Sequence, residues 1–206
     1  LDIPKGLTLC VMINASEIIE EGKFSEPNLN QLFPKDSAAS NISIVRIASH
    51  TYELIEALKA VKLLNEKGFK IGFNLMQVSE CEPNELILLA EEASKYQVDV
   101  LYFADSLGNM NTENVLTVIE SFRSHWKGEL GIHAHDNMGM ALSNSLFALN
   151  NGITWVDSTV TGMGRGAGNA KTELLAIEIS ELRNTKVNIN PLISLISREF
   201  MPLKDK

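Results

Sequence analysis

The stretch Leu130-Gly131-Ile132-His133-Ala134-His135-Asp136-Asn137 decides the fold. An apolar run of strand length stops at two histidines, a carboxylate and an amide. The same event occurs at Val100-Leu101-Tyr102-Phe103-Ala104, which runs into Asp105-Ser106, and again after Trp155-Val156, where Thr159 to Asn169 is polar and glycine-rich. Polar residues therefore gather where several different strands end. An open doubly wound sheet concentrates its site at one switch point, whereas a closed barrel builds its site from the C-terminal ends of many strands. The pattern favours the barrel.

Working outward, β-branched runs recur at Leu7–Ile13, Ile42–Ala48, Lys70–Met76, Val98–Ala104, Leu130–Ala134 and Trp155–Val160. Their starts lie roughly 25–35 residues apart, the size of a strand–helix unit of about 30 residues. Helical periodicity fills the gaps. Over Thr51–Lys67, Leu54, Leu58, Val61 and Leu64 share one face, and Gly68 stops the helix. Over Pro83–Lys95 the stripe is Leu86, Leu89, Ala90 and Ala93. Asn111 is placed to cap a helix carrying Val115, Val118, Ile119 and Phe122. A helix after Asn137 carries Ala141, Leu146 and Leu149 and ends at Asn150-Asn151-Gly152, and another starts near Ala170. Alternation of this kind predicts a parallel sheet covered by helices. The fold class is α/β, a TIM (β/α)8-type barrel with about six of its eight units present.

The 206 residues suffice for one sizeable core. The net charge of -8 argues against nucleic acid and anionic membrane as partners, because those need a basic field. No apolar run is long enough for a membrane span. Two cysteines are too few for a disulfide framework, and a reducing cytoplasm suits both. Cys10 reads as a buried small hydrophobe. Cys81, in Ser79-Glu80-Cys81-Glu82, has acidic neighbours that raise a thiol pKa.

On a strand, residues i and i+2 share a face, so His133 and His135 can share a metal ion at a barrel mouth. Two hydrogen-bonded histidines without metal are the alternative. Asp105 and Ser106 suit a polar substrate or a capping turn. Arg46, inside an apolar strand, must be paired or face the mouth, and an ion pair with an acidic strand-end group is the expected role. His50 either faces the mouth or starts the next helix. The loop Gly162-Met163-Gly164-Arg165-Gly166-Ala167-Gly168-Asn169 contains G-x-G-x-x-A. A dinucleotide fingerprint belongs to the first strand of its unit, with an acid about 20 residues on. This loop follows the last strand, and positions 185 to 190 carry no acid. Tight backbone packing, an anion near a helix N-terminus, and a plain glycine turn are the readings left.

Read together, Gly131 to Ala141, then Asn144, Ala148, Gly152 and Asp157, and Gly162 through Glu173 resemble the metal-dependent barrel superfamily of 3-hydroxy-3-methylglutaryl-CoA lyase, isopropylmalate synthase and 4-hydroxy-2-oxovalerate aldolase. Arg46-Ile47-Ala48-Ser49-His50, Asn74-Leu75-Met76 and Phe103 to Gly108 extend the likeness upstream. It covers about residues 7 to 180 and is nearest the aldolase branch. The resemblance implies a divalent metal, Mn, Mg or Co and sometimes Zn, held by His133 and His135, with Asn169 joining as in the sister branches. It implies a lyase acting on a small 4-hydroxy-2-oxo acid through a pyruvate enolate. Asp105, Ser106, Arg46 and Asn137 map to substrate-binding positions. The family's first-strand segment, D-x-x-x-R-D-G, occurs nowhere in the 206 residues, and Leu7–Ile13 resembles the family's third strand. The catalytic Arg and Asp are thus expected outside this sequence, which reads as an internal piece or a truncated paralogue. The loop lacks the cysteine of the lyase branch. A Claisen-type synthase using acetyl-CoA and an inactive barrel serving as a binding module are the alternatives. Residues 1–185 are expected to form the partial catalytic barrel, and 186–206 a C-terminal helical segment. Homo-oligomers are expected, because a sheet of six barrel strands leaves two edges open.

Overall fold

The computed structural model describes Pro4 and residues 6–204. One sheet holds six parallel strands in sequence order: β1 Leu9–Asn14, β2 Ile42–Ser49, β3 Lys70–Leu75, β4 Val100–Asp105, β5 Glu129–Ala134 and β6 Trp155–Val156. The helices between them are α1 Glu26–Leu32, α2 Leu54–Glu66, α3 Pro83–Ala93, α4 Thr112–His125, α5 Ala141–Asn150 and α6 Thr172–Leu182. Neighbours in sequence are neighbours in the sheet, each pair parallel and in continuous register from β2 onward. This is six units of a (β/α)8 barrel.

Alternation along each strand sorts the side chains. Val45, Ile47, Ile71, Phe73, Leu101, Phe103, Leu130 and Ile132 are fully buried and belong to the main core. The helices meet them with the stripes read from the sequence: Leu54, Leu58, Val61 and Leu64 on α2, Leu86, Leu89, Ala90 and Ala93 on α3, and Val115, Val118, Ile119 and Phe122 on α4. The intervening strand residues Arg46, Tyr102 and Glu129 line an open cavity of about 990 Å³ on the concave face, together with Asp157 just past β6.

Three expectations need correction. Cys10 is exposed: on β1 it alternates with Val11 and Ile13, which pack on the core, so its side chain falls on the concave face. The expected strand Trp155–Val160 stops at Val156, because Thr159 bridges to Lys171 and Val160–Gly162 closes into a short helical turn. Leu146 and Leu149 are half-buried, and the deep face of α5 is Ala141, Asn144, Ser145 and Ala148. Between β1 and β2 the chain adds elements not expected from the sequence. It forms a hairpin, Ile19–Glu20 with Lys23–Phe24, and then α1, which Pro27 starts and Leu29 anchors in the core.

The C-terminal end is helical, from Asn190–Leu195 through Ile196–Phe200 to Met201–Lys204. Among the described residues no helix is long and apolar enough to cross a membrane.

Candidate metal centre at the barrel mouth

Three loops meet at the C-terminal end of the sheet. Their backbones are laced together: His135 N–H donates to Asp105 O at 3.2 Å, Asp136 N–H to Gly168 O at 3.0 Å, and Met138 N–H to Gly108 O at 3.0 Å. Asn137 spans all three, its amide donating to Leu107 O while its Oδ1 accepts from Ala167 N–H at 3.3 Å. Asp136 Oδ1 accepts from Ala141 N–H at 2.9 Å and so holds the start of α5.

The glycine loop is packed too tightly for side chains. A Cβ on Gly168 would lie 2.0 Å from Gly162 O, and one on Gly164 would lie 2.1 Å from the Asn169 amide nitrogen. Of the readings open at the sequence level, tight backbone packing is the one this geometry requires.

His133 and His135 both rise from the end of β5, with ring centroids 5.1 Å apart and planes at 76°. Asn169 pairs with His135 in an antiparallel bridge. Its amide nitrogen donates to Met163 O at 3.3 Å, but its Oδ1 is buried with no partner. A buried amide oxygen without a donor carries a desolvation cost that a cation would relieve. Two imidazoles and a carbonyl oxygen are a donor set that suits Mn, Co or Zn, so the residues fit a divalent ion as part of its ligand set. Among the described residues no cluster of three or more His, Cys, Asp or Glu side chains forms. Burial lowers the pKa of His135, and His133 beside it adds to that, so the ring stays neutral and able to bind a cation.

Beneath the mouth lies a polar layer. Asp157 Oδ2 accepts from Arg46 Nη1 at 2.6 Å and is 2.8 Å from His133 Nδ1. Arg46 Nη2 donates to Asn74 Oδ1 at 3.1 Å, and its guanidinium carbon sits 3.6 Å from the Tyr102 ring centroid. Burial pushes the Asp157 carboxyl up, but the His133 hydrogen bond and the Arg46 charge outweigh it and hold it below its ordinary value. The ion pair expected of Arg46 is therefore present, with Asp157. Asn74, Tyr102 and Asp157 were not singled out as site residues. Tyr102 and Asn74 are at inward-facing strand positions in register with each other, and that parity was the available signal.

The other expected site residues separate by burial. Asp105 is buried, its carboxylate accepting from Asn109 and Met110 N–H at 3.1 Å each. Burial raises its pKa against the pull of those amides. Ser106 is half-buried and accepts from Gln77 N–H at 3.0 Å, while Asn137 is exposed. His50 starts the turn before α2, with its N–H capped by Glu53 and its ring stacked on Tyr52.

The HMGL-like family model matches residues 37–197. A 4-hydroxy-2-oxovalerate aldolase of Carboxydothermus hydrogenoformans is 35% identical over 147 residues, 71% of this chain and 44% of its own. A 4-hydroxy-2-oxovalerate aldolase of Nocardia farcinica is 33% identical over 165 residues, 80% of this chain and 48% of its own. The chain thus spans just under half the length of these relatives. Among solved structures, the N-terminal domain of a candidate aldolase from Bacteroides vulgatus superposes with a TM-score of 0.84 at 30% identity, over 97% of this chain and 64% of that one. The HMG-CoA lyase of Bacillus subtilis shares the fold, with a TM-score of 0.74 at 22% identity over 94% of this chain and 70% of that one. A family match over most of the chain, on a barrel whose mouth carries the paired histidines, shows that this chain belongs to the HMGL-like family.

Proposed function

We propose that this chain is part of the catalytic barrel of a divalent-metal aldolase that cleaves a 4-hydroxy-2-oxo acid to pyruvate and an aldehyde. The observation that carries the reading is the pair of imidazoles beside a buried, unpartnered amide oxygen at one barrel mouth. His133, His135 and Asn169 would hold the ion, with Mn, Mg or Co the expected metals and Zn also compatible. When bound, such an ion supplies Lewis acidity toward the oxygens of a 2-oxo acid.

The chain's own residues do the rest of what is assigned here. Ser106, half-buried, and Asn137, exposed, lie at the mouth and are assigned to the substrate. Asp105 fixes the loop that presents Ser106, through the amides of Asn109 and Met110. Arg46 acts from below the mouth, through Asp157. The substrate is a small anionic acid, and further copies of the chain are the proposed protein partner.

Metal content and pyruvate release in the whole protein test this. His133→Ala and His135→Ala are each expected to lose both the metal and the activity. Asn169→Ala is expected to lose less, because a neutral amide oxygen is a weaker ligand than an imidazole for these ions. A protein that keeps metal and activity without either histidine rules out the site.

A further inference from the structure

The polar layer below the mouth runs from Arg46 on β2 to Asp157 just past β6, and there Asp157 also meets a histidine assigned to the metal. We propose that Asp157, anchored by Arg46, is a positioning residue that fixes His133 in its Nδ1–H tautomer and so reserves Nε2 as the free donor nitrogen. The inference rests on the reading of His133 as a metal ligand.

Counting protons fixes the tautomer. A single carboxylate oxygen, Asp157 Oδ2, lies 2.6 Å from Arg46 Nη1 and 2.8 Å from His133 Nδ1. A guanidinium is always a donor and keeps its carboxylate partner ionised. An ionised carboxylate only accepts, so the proton in the second contact must sit on His133 Nδ1. A neutral imidazole carries one ring proton, and the lone pair is then on Nε2. Carboxylates and carbonyls that orient a ligand histidine in this way also raise its basicity.

The anchor is itself held from two further sides. Asn74 Oδ1 accepts from Arg46 Nη2 at 3.1 Å, and the Tyr102 ring lies under the guanidinium at 3.6 Å. The ring can lie there because β5 has glycine opposite: a Cβ on Gly131 would be 2.3 Å from Tyr102 Cδ1. Gly72, next to Arg46 in register, is less demanding: a Cβ there would meet the Arg46 stem at 3.4 Å, an ordinary contact. A tyrosine admitted by one glycine, and an amide, thus hold one arginine in place, and the arginine meets the carboxylate that meets the histidine. An ion pair serving stability alone needs no imidazole at its carboxylate.

Long-range proton–nitrogen spectra of the metal-free whole protein read the tautomer directly, and titration with Mn reads affinity. The expected result for the unaltered protein is His133 in the Nδ1–H form. Asp157→Asn is expected to mix the His133 tautomers and weaken Mn binding by about 10- to 100-fold, with Asp157→Glu recovering part of both. An Nε2–H tautomer in the unaltered protein overturns the proposal and needs no variant to fold. So does an Asp157→Asn protein with an unchanged tautomer and Mn affinity within about twofold of the original. His133→Ala separates the two readings: unchanged Mn binding there removes His133 from the metal site, whereas loss of Mn there with no effect of Asp157→Asn removes only the role of Asp157.

Discussion

At the residue scale, the side chains of the candidate site find their partners at very different distances along the chain. His133 and His135 announce themselves, because period-2 alternation puts them on one face whatever the tertiary detail. Arg46 had to be paired, but its partner lies 111 residues away and no local rule selects Asp157 over Asp105 or Asp99. Asp105 lies at the mouth with its carboxylate turned into its own loop, where the amides of Asn109 and Met110 converge on it. Cys81 shows how an expectation can be right in direction for an incomplete reason. Its thiol is pushed up to about 11, first by burial and then by Glu85, one turn into α3, with Glu80 adding less. Below its pKa the thiol stays protonated and unreactive, and each pH unit lost cuts the thiolate tenfold, to about a thousandth at pH 8. Alkylation of Cys81 by iodoacetamide, followed by mass spectrometry, is expected to rise about tenfold per pH unit up to near 11. A plateau near pH 9 contradicts this. The exposed Cys10 serves as the internal comparison.

At the scale of elements, α2, α3 and α4 were legible because each repeats its apolar residues at helical spacing over about two to three turns. The deep face of α5 was missed because its buried residues are small and polar: Asn144 reaches Met110 O at 2.8 Å, so α5 packs close to the neighbouring loop. The brevity of β6 was equally hidden, since Trp155–Val160 has β-branched composition but spends its backbone on loop contacts. Helix ends were better marked. Asn111 Oδ1 accepts from Asn114 N–H at 2.9 Å while Asn114 Oδ1 accepts from Asn111 N–H at 3.0 Å, a reciprocal box at the start of α4. Asn111→Ala removes one arm and leaves an amide at the helix start without its acceptor. The expected loss is about 1 kcal/mol, seen as a lower urea midpoint with an unchanged slope. A change below about 0.3 kcal/mol would mean that water replaces the cap at no cost.

At the scale of the whole molecule, the order of units and their count followed from strand spacing alone, and the consequence that remains is at the sheet's edges. Among the described residues β1 pairs only with β2, and β6 only with β5. β1 presents a row of free backbone groups along one side and leaves Met12 51% exposed on the concave face, beside the exposed Cys10. β6 is only two residues long and carries the partly exposed Trp155. A free edge with apolar residues beside it pairs with another strand, while a closed barrel has no such edge. The 206-residue chain expressed by itself is therefore expected to self-associate as its concentration rises. The net charge of -8 opposes that association, so added salt should strengthen it by screening the repulsion. Association built on surface ion pairs would weaken with salt instead. Met12→Lys places a charge at the free edge, the common natural device against such pairing, and is expected to shift the population toward monomer. Sedimentation velocity across a concentration series, at low and high salt, reads all three effects. A monomer that persists at high concentration in high salt shows that the edges are covered from within the chain.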